Sequence, residues 1–256
     1  MRIPLPAAFL TMPFAHRALH DAPQGRPENT RAAMLAAITA GYAIETDVQC
    51  SRDGQALVFH DHVLDRLTEE TGHVSDRTAA ELSSIKLRHS TETIPTLHEV
   101  LALIDGRVPL LIEIKDQTQI LGDTAPVLET ALAYELQSYS GPVALMSFNP
   151  HVMAHLAQLC PHLPRGLTTE AFLPRDWPKV PRARLDELRS ISDFDSVHAS
   201  FLSHNVVDLT RPRVLELAAQ GASILCWTVT SARVERKARQ IAQNITFEGY
   251  LAAHPA

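Results

Sequence analysis

The sequence predicts a closed (β/α)8 barrel, one α/β domain over residues 1–256, and three observations carry that expectation. Short apolar runs rich in branched residues alternate with longer helical patterns about eight times, as parallel βαβ units require. A length of 256 residues suits one such barrel, which commonly runs to about 250. No G-x-G-x-x-G follows the first strand, which removes the dinucleotide-binding form of the open doubly wound sheet.

Taken in order, a first strand is expected in "AAFLTMPFAHR" and a helix in "PENTRAAMLAAITAG", closed by Gly41. "YAIETDV" reads as the second strand. Residues 54–94 are too long for a simple connection and read as a small excursion at the barrel mouth, opening with the strand-like "QALVFH". The helix "IPTLHEVLALIDG" leads to the strand "VPLLIEIK" and then to "ILGDTAPVLETALAYELQSY". "PVALMSF" precedes a helix opened by Asn149 and Pro150, and "PRGLTT" precedes the Pro-rich loop "PRDWPKVP" and the helix "RARLDELRS". "FDSVHAS" is the next strand candidate, before a helix that ends at Gly221. "ASILCWTVT", a helix starting at Thr230 and Ser231, and "ITFEGYL" complete the series.

Composition excludes several classes. Hydrophobic residues make up 45% and charged residues 20%, close to a soluble globular chain. No apolar run approaches the ~20 residues of a spanning helix, so stable membrane insertion is not expected. A net charge of −6 and mixed signs in the densest basic run, "SARVERKARQ", argue against a nucleic-acid or anionic-membrane surface. Cys50, Cys160 and Cys226 stand singly, which suits reduced thiols. With no signal peptide in the interrupted N-terminus, the expected location is the cytoplasm.

The chemistry concentrates at strand ends. Glu45 and Asp47 alternate within "AIETDV" and so share one face of a strand that a barrel covers on both sides. Uncompensated ions there are costly, so a cation is the natural partner. Glu113 and Lys115 repeat the spacing in "LLIEIK". Three converging carboxylates make a hard-oxygen site for one divalent cation, Mg²⁺ or Ca²⁺, with Lys115 as added positive charge or as an ion-pair partner of these acids. His16 ends the first strand candidate and His60 ends "ALVFH". With Arg17 they supply two proton-transfer groups and a guanidinium that can grip an anionic oxygen, a combination suited to phosphoryl chemistry.

On these residues the chain resembles the glycerophosphodiester phosphodiesterase family of (β/α)8 enzymes, within the phospholipase C-like phosphodiesterase superfamily. The likeness runs through "AHR", "PENT", "IETDV", "DGQALVFHD", "LDRLTEETGHV", "IPTLHEVL", "IEIK", "SFNP" and "CWTV", in order along nearly the whole chain. It implies that Glu45, Asp47 and Glu113 bind the metal, that His16 and His60 are the acid/base pair, and that Arg17 and Lys115 contact phosphate. It also implies an acidic position near the site at Glu28, aromatic walls beside the glycerol moiety at Phe148 and Trp227, and a further acidic group at Glu170. The implied reaction is hydrolysis of a glycerophosphodiester to sn-glycerol 3-phosphate and an alcohol. Whether water or the substrate's own hydroxyl attacks stays open, as does the number of subunits.

Two departures from the family bear on substrate identity. Ala18 stands where the family usually has glycine after His-Arg, and the last strand reads "NITFEGYL". Two other functions remain in view. A lysophospholipase D-like enzyme would use an apolar ramp, for which Phe172, Leu173 and Trp177 are candidates. A glycerophosphodiester-binding protein without turnover would be expected to have lost a metal ligand or a histidine, and all five positions are present.

Overall fold

Strands buried on both faces need apolar or internally paired side chains at nearly every position, and the strands of this protein meet that condition. The computed structural model describes residues 2–254. In chain order it contains α1 (Ala8–Thr11), β1 (Phe14–Ala15), α2 (Arg31–Ala40), β2 (Ala43–Cys50), β3 (Ala56–Val58), α3 (Ala79–Ser84), α4 (Leu97–Ile104), β4 (Leu110–Ile114) and α5 (Val127–Leu136). There follow β5 (Val143–Ser147), α6 (Pro150–Leu159), β6 (Arg165–Thr169), α7 (Arg182–Ser190), β7 (Phe201–Asn205), α8 (Pro212–Ala219), β8 (Ser223–Val229), α9 (Ala232–Ala238) and β9 (Asn244–Phe247). Strand order, parallel pairing and intervening helices are those of the expected (β/α)8 barrel, with β3 added as an antiparallel neighbour of β2. No helix among the described residues is long and apolar enough to cross a membrane.

The chain divides into two compact units. One joins Ala15–Lys115 to Pro126–Pro142. Within it β2 pairs in parallel with β4 and antiparallel with β3. Helix α2 starts at Thr30, whose hydroxyl accepts from the Ala33 amide, and stops at Gly41 in the left-handed region at φ 75°. Helices α3 and α4 each begin with a reciprocal cap, Thr78 with Glu81 and Thr96 with Glu99. The excursion carries its own small core, in which Leu57, Phe59, Leu64, Leu82 and Ile94 are fully or almost fully buried.

The other unit joins the residues up to Phe14 to Asp116–Ala125 and to the chain from Val143 onward. Strands β5 to β9 lie in sequence order within it. Gly166 on β6 pairs with Phe201 on β7, and a Cβ at Gly166 would lie 2.4 Å from the Phe201 ring. The glycine is therefore required by close approach of the neighbouring side chain.

Two strand expectations shift. Residues 8–11 of the first candidate are helical, leaving only Phe14–Ala15 as strand. "FDSVHAS" is not a strand: its start is the end of a 3-10 turn, Ser192–Phe194, and the strand is the following "FLSHN". Asp193 and Asp195 favour turns, while buried Ser203 and His204 hide the strand behind polar letters.

Candidate active site

Register explains how the carboxylates meet. Asp47 on β2 is the direct partner of Glu113 on β4, and Glu45 lies two residues back on the same strand face. All three are buried, and one carboxylate oxygen from each falls within 4.8 Å of the others. Lys115 continues the Glu113 face, held by its amide donating to the Val48 carbonyl at 3.1 Å. Its ammonium lies 2.7 Å from Asp47 Oδ1 and 2.5 Å from Glu113 Oε1. The sequence reading left open whether Lys115 pairs with these acids, and the structure shows that it does.

The turn after β1 aims donors at the same group. Arg17 and Ala18 both lie in the left-handed region, at φ 53° and 64°. This turn lets the Arg17 amide donate to Glu45 Oε2 at 2.9 Å while the Ala18 amide donates to the Glu45 carbonyl at 3.0 Å. Ala18 thus occupies a conformation that favours glycine. Asn29 of "PENT", also left-handed at φ 58°, donates to Asp47 Oδ2 at 2.9 Å and accepts from the Thr46 hydroxyl at 2.7 Å. Nothing in the sequence pattern singles out Asn29 for this task.

Electrostatics separates the acids. Burial pushes the Glu45 carboxyl well above its ordinary range, and the neighbouring Asp47 and Glu113 charges push the same way. Burial would also raise Asp47, but Lys115, His60 and Arg17 outweigh it and hold Asp47 far below. Lys115 is raised because Asp47 and Glu113 overcome the desolvation that would lower it. The cluster therefore has more negative charge than its lysine neutralises, and an all-oxygen donor set of this kind fits a hard divalent cation.

His60 follows β3, and its carbonyl accepts from Gln49 Nε2 at 3.1 Å. Its Nδ1 lies 2.7 Å from Asp61 Oδ1. Arg17 NH1 donates to Glu28 Oε1 at 2.9 Å, and the Arg17 Nε, 3.8 Å from Asp47, is buried without a hydrogen bond among the described residues. Glu28 is thereby a partner of Arg17, and its carboxyl is lowered because Arg66 and Arg17 outweigh the effect of burial. His16 is half-buried at the end of β1, next to Arg17 in the chain. Asp61 and Arg66 went unnoticed in the sequence, although "HD" offered a local signal for the first.

Phe148, Trp227 and Glu170 fall in the other unit. Phe148 stands 5.5 Å from Trp227 and 5.3 Å from Trp177, ring centre to ring centre. Trp177 Nε1 donates to Glu170 Oε1 at 2.5 Å, and Trp227 Nε1 donates to the Ser203 carbonyl at 3.0 Å. Phe172 is fully buried in a core cluster with Leu121 and Leu185. It anchors the Pro-rich loop, which removes one ring from the apolar ramp considered for an acylated substrate.

The profile of the glycerophosphoryl diester phosphodiesterase family matches residues 16–246. A glycerophosphodiester phosphodiesterase of Caldanaerobacter subterraneus is 34% identical over 160 residues, covering 59% of this chain and 65% of that protein, just under two thirds of its length. One from Bacillus altitudinis is 32% identical over 169 residues, covering 62% of this chain and 67% of that one. Among solved structures, an Oleispira antarctica phosphodiesterase in complex with the product sn-glycerol-3-phosphate aligns with a TM-score of 0.77 at 24% identity, covering 94% of each chain. That likeness establishes a shared fold.

Proposed function

The chain belongs to the glycerophosphoryl diester phosphodiesterase family, and on that premise we propose that it hydrolyses a glycerophosphodiester to sn-glycerol 3-phosphate and an alcohol. The observation that carries this reading is the buried Glu45, Asp47 and Glu113 cluster with Lys115 beside it. These three carboxylates would hold one divalent cation, Mg²⁺ or Ca²⁺. When bound, such a cation supplies Lewis-acid stabilisation of charge on phosphoryl oxygens.

The rest of the chemistry belongs to side chains. Arg17, fixed through NH1 to Glu28, retains donors for a phosphoryl oxygen, and Lys115 adds positive charge beside it. With Nδ1 held by Asp61, the His60 ring presents Nε2 for proton transfer. One of His16 and His60 takes the proton of the attacking hydroxyl. The other returns a proton to the departing alkoxide, so the pair is reset by one further exchange with solvent. Phe148 and Trp227 are proposed to wall the glycerol side of the substrate, with Glu170 held by Trp177 as a polar neighbour.

The deciding experiment measures glycerol 3-phosphate release from glycerophosphocholine by metal-stripped protein, with and without Mg²⁺ or Ca²⁺, beside Glu45→Ala. Release that depends on the cation and vanishes in the variant supports both reaction and site. No release with either cation overturns the choice of substrate.

A further inference from the structure

We propose that Arg66 and Asp61 are positioning residues, joined so that one guanidinium sets both the proton-transfer group and the phosphate-gripping group. Their role rests on the reading of His60 and Arg17 given above. Arg66 lies in the excursion and engages two carboxylates, each through a pair of hydrogen bonds. Its Nε donates to Asp61 Oδ2 at 2.6 Å and NH2 to Asp61 Oδ1 at 3.1 Å. Its NH1 donates to Glu28 Oε2 at 2.8 Å and NH2 to Glu28 Oε1 at 2.7 Å. Beyond these carboxylates the chain of contacts continues in both directions, from Asp61 Oδ1 to His60 Nδ1 at 2.7 Å and from Glu28 Oε1 to Arg17 NH1 at 2.9 Å.

The arrangement has a definite chemical effect. Asp61 accepts the Nδ1 proton of His60, which fixes the ring tautomer and turns Nε2 away from the carboxylate. Arg66 keeps Asp61 ionised and immobile, so the ring cannot rotate without breaking a charge-assisted bond. The same guanidinium orients Glu28, which in turn restrains Arg17. A lysine has no planar fork and cannot hold two carboxylates in this way. An exposed ion pair on its own contributes little stability, and Arg66 is 45% exposed along its side chain. The linkage of both pairs to His60 and Arg17 gives the network a use that surface ion pairs lack.

The competing account is a network that merely stabilises the excursion. A double-mutant cycle separates the two. Turnover of glycerophosphocholine with saturating divalent cation is measured for Asp61→Asn, Arg66→Met and His60→Ala, and for each of the first two combined with His60→Ala. Thermal melting of every variant checks that it folds, and any variant that does not fold is replaced by Asp61→Ser or Arg66→Gln. In the wild-type background Asp61→Asn is expected to lower kcat about 30- to 100-fold with KM within about threefold, and Arg66→Met to lower kcat about 10-fold. In the His60→Ala background Asp61→Asn should cost less than about twofold, because its partner is gone. Equal losses in both backgrounds, or near-wild-type turnover of Asp61→Asn while His60→Ala is impaired, overturn the inference alone. Near-wild-type turnover of His60→Ala overturns the acid/base reading beneath it.

Discussion

Asp47 stands level with Glu113 across two parallel strands, and one ammonium, that of Lys115, lies within 2.7 Å of both. The lysine neutralises part of the pair, leaving Glu45 as the acid whose charge is least compensated. Its carboxyl is accordingly raised by burial and by its two acidic neighbours.

Replacing Glu45 by Gln is expected to act oppositely on stability with and without a cation. In metal-free protein at pH values above the Glu45 titration the change removes a charge repelled by Asp47 and Glu113, so the melting temperature there should rise by about 2–4 °C. The wild type should be stabilised by Mg²⁺ or Ca²⁺, by about 2.7 kcal/mol at a hundred times Kd, and the variant should not. Scanning fluorimetry across a cation titration reads both effects.

Cation binding should release a proton. A raised pKa means that Glu45 keeps its proton at pH values where an unfolded glutamate has lost it, while ligation requires the carboxylate. Calorimetry in two buffers of different ionisation enthalpy should show release that diminishes as pH rises through the Glu45 titration, and Glu45→Gln should remove it.

Ala18→Gly should stabilise the protein by about 0.5–1 kcal/mol, because φ 64° is strained for alanine and natural for glycine. The amide that donates to the Glu45 carbonyl is kept, so turnover should stay close to wild type. Urea unfolding and a rate measurement together check this.

His204 predicts an acid-side loss of stability. It is fully buried on β7, with Nδ1 2.7 Å from the Thr169 hydroxyl and Nε2 3.7 Å from Asp208 Oδ2. Burial lowers its pKa to about 4, Asp208 opposing and Arg211 assisting. The unfolded chain therefore takes up this proton as pH falls below about 6.5 while the folded chain does not. Stability is fully present above about 6.5 and should fall, by on the order of 2 kcal/mol, as pH drops toward 4. His204→Gln should flatten that limb in urea titrations at several pH values.

Much of this was legible because strand periodicity is a local signal. Glu45, Asp47, Glu113 and Lys115 declare themselves by alternating within apolar runs, and helix starts such as Asn149-Pro150 are written in adjacent residues. Asn29 and Arg66 were not legible, because each acquires its role from partners that folding brings from elsewhere in the chain, Asp47 and Thr46 for the first and Glu28 for the second, whereas Asp61 stands beside His60 and carried a local signal. The displaced β7 has the same origin: a strand carrying buried Ser203 and His204 does not look apolar until its neighbours are in place.

The self-contained core of the excursion also has a bearing on how this protein can drift. Leu64 and Leu82 are apolar and buried, with no chemistry of their own, yet they belong to the small core of the excursion that carries Arg66. On the reading proposed for His60, a cavity opened there would leave the fold largely intact and reach that ring as slackness. Substitutions in that little core should therefore be inherited in compensating sets, and a lineage that exchanged the excursion wholesale would have to bring a replacement for Arg66 with it.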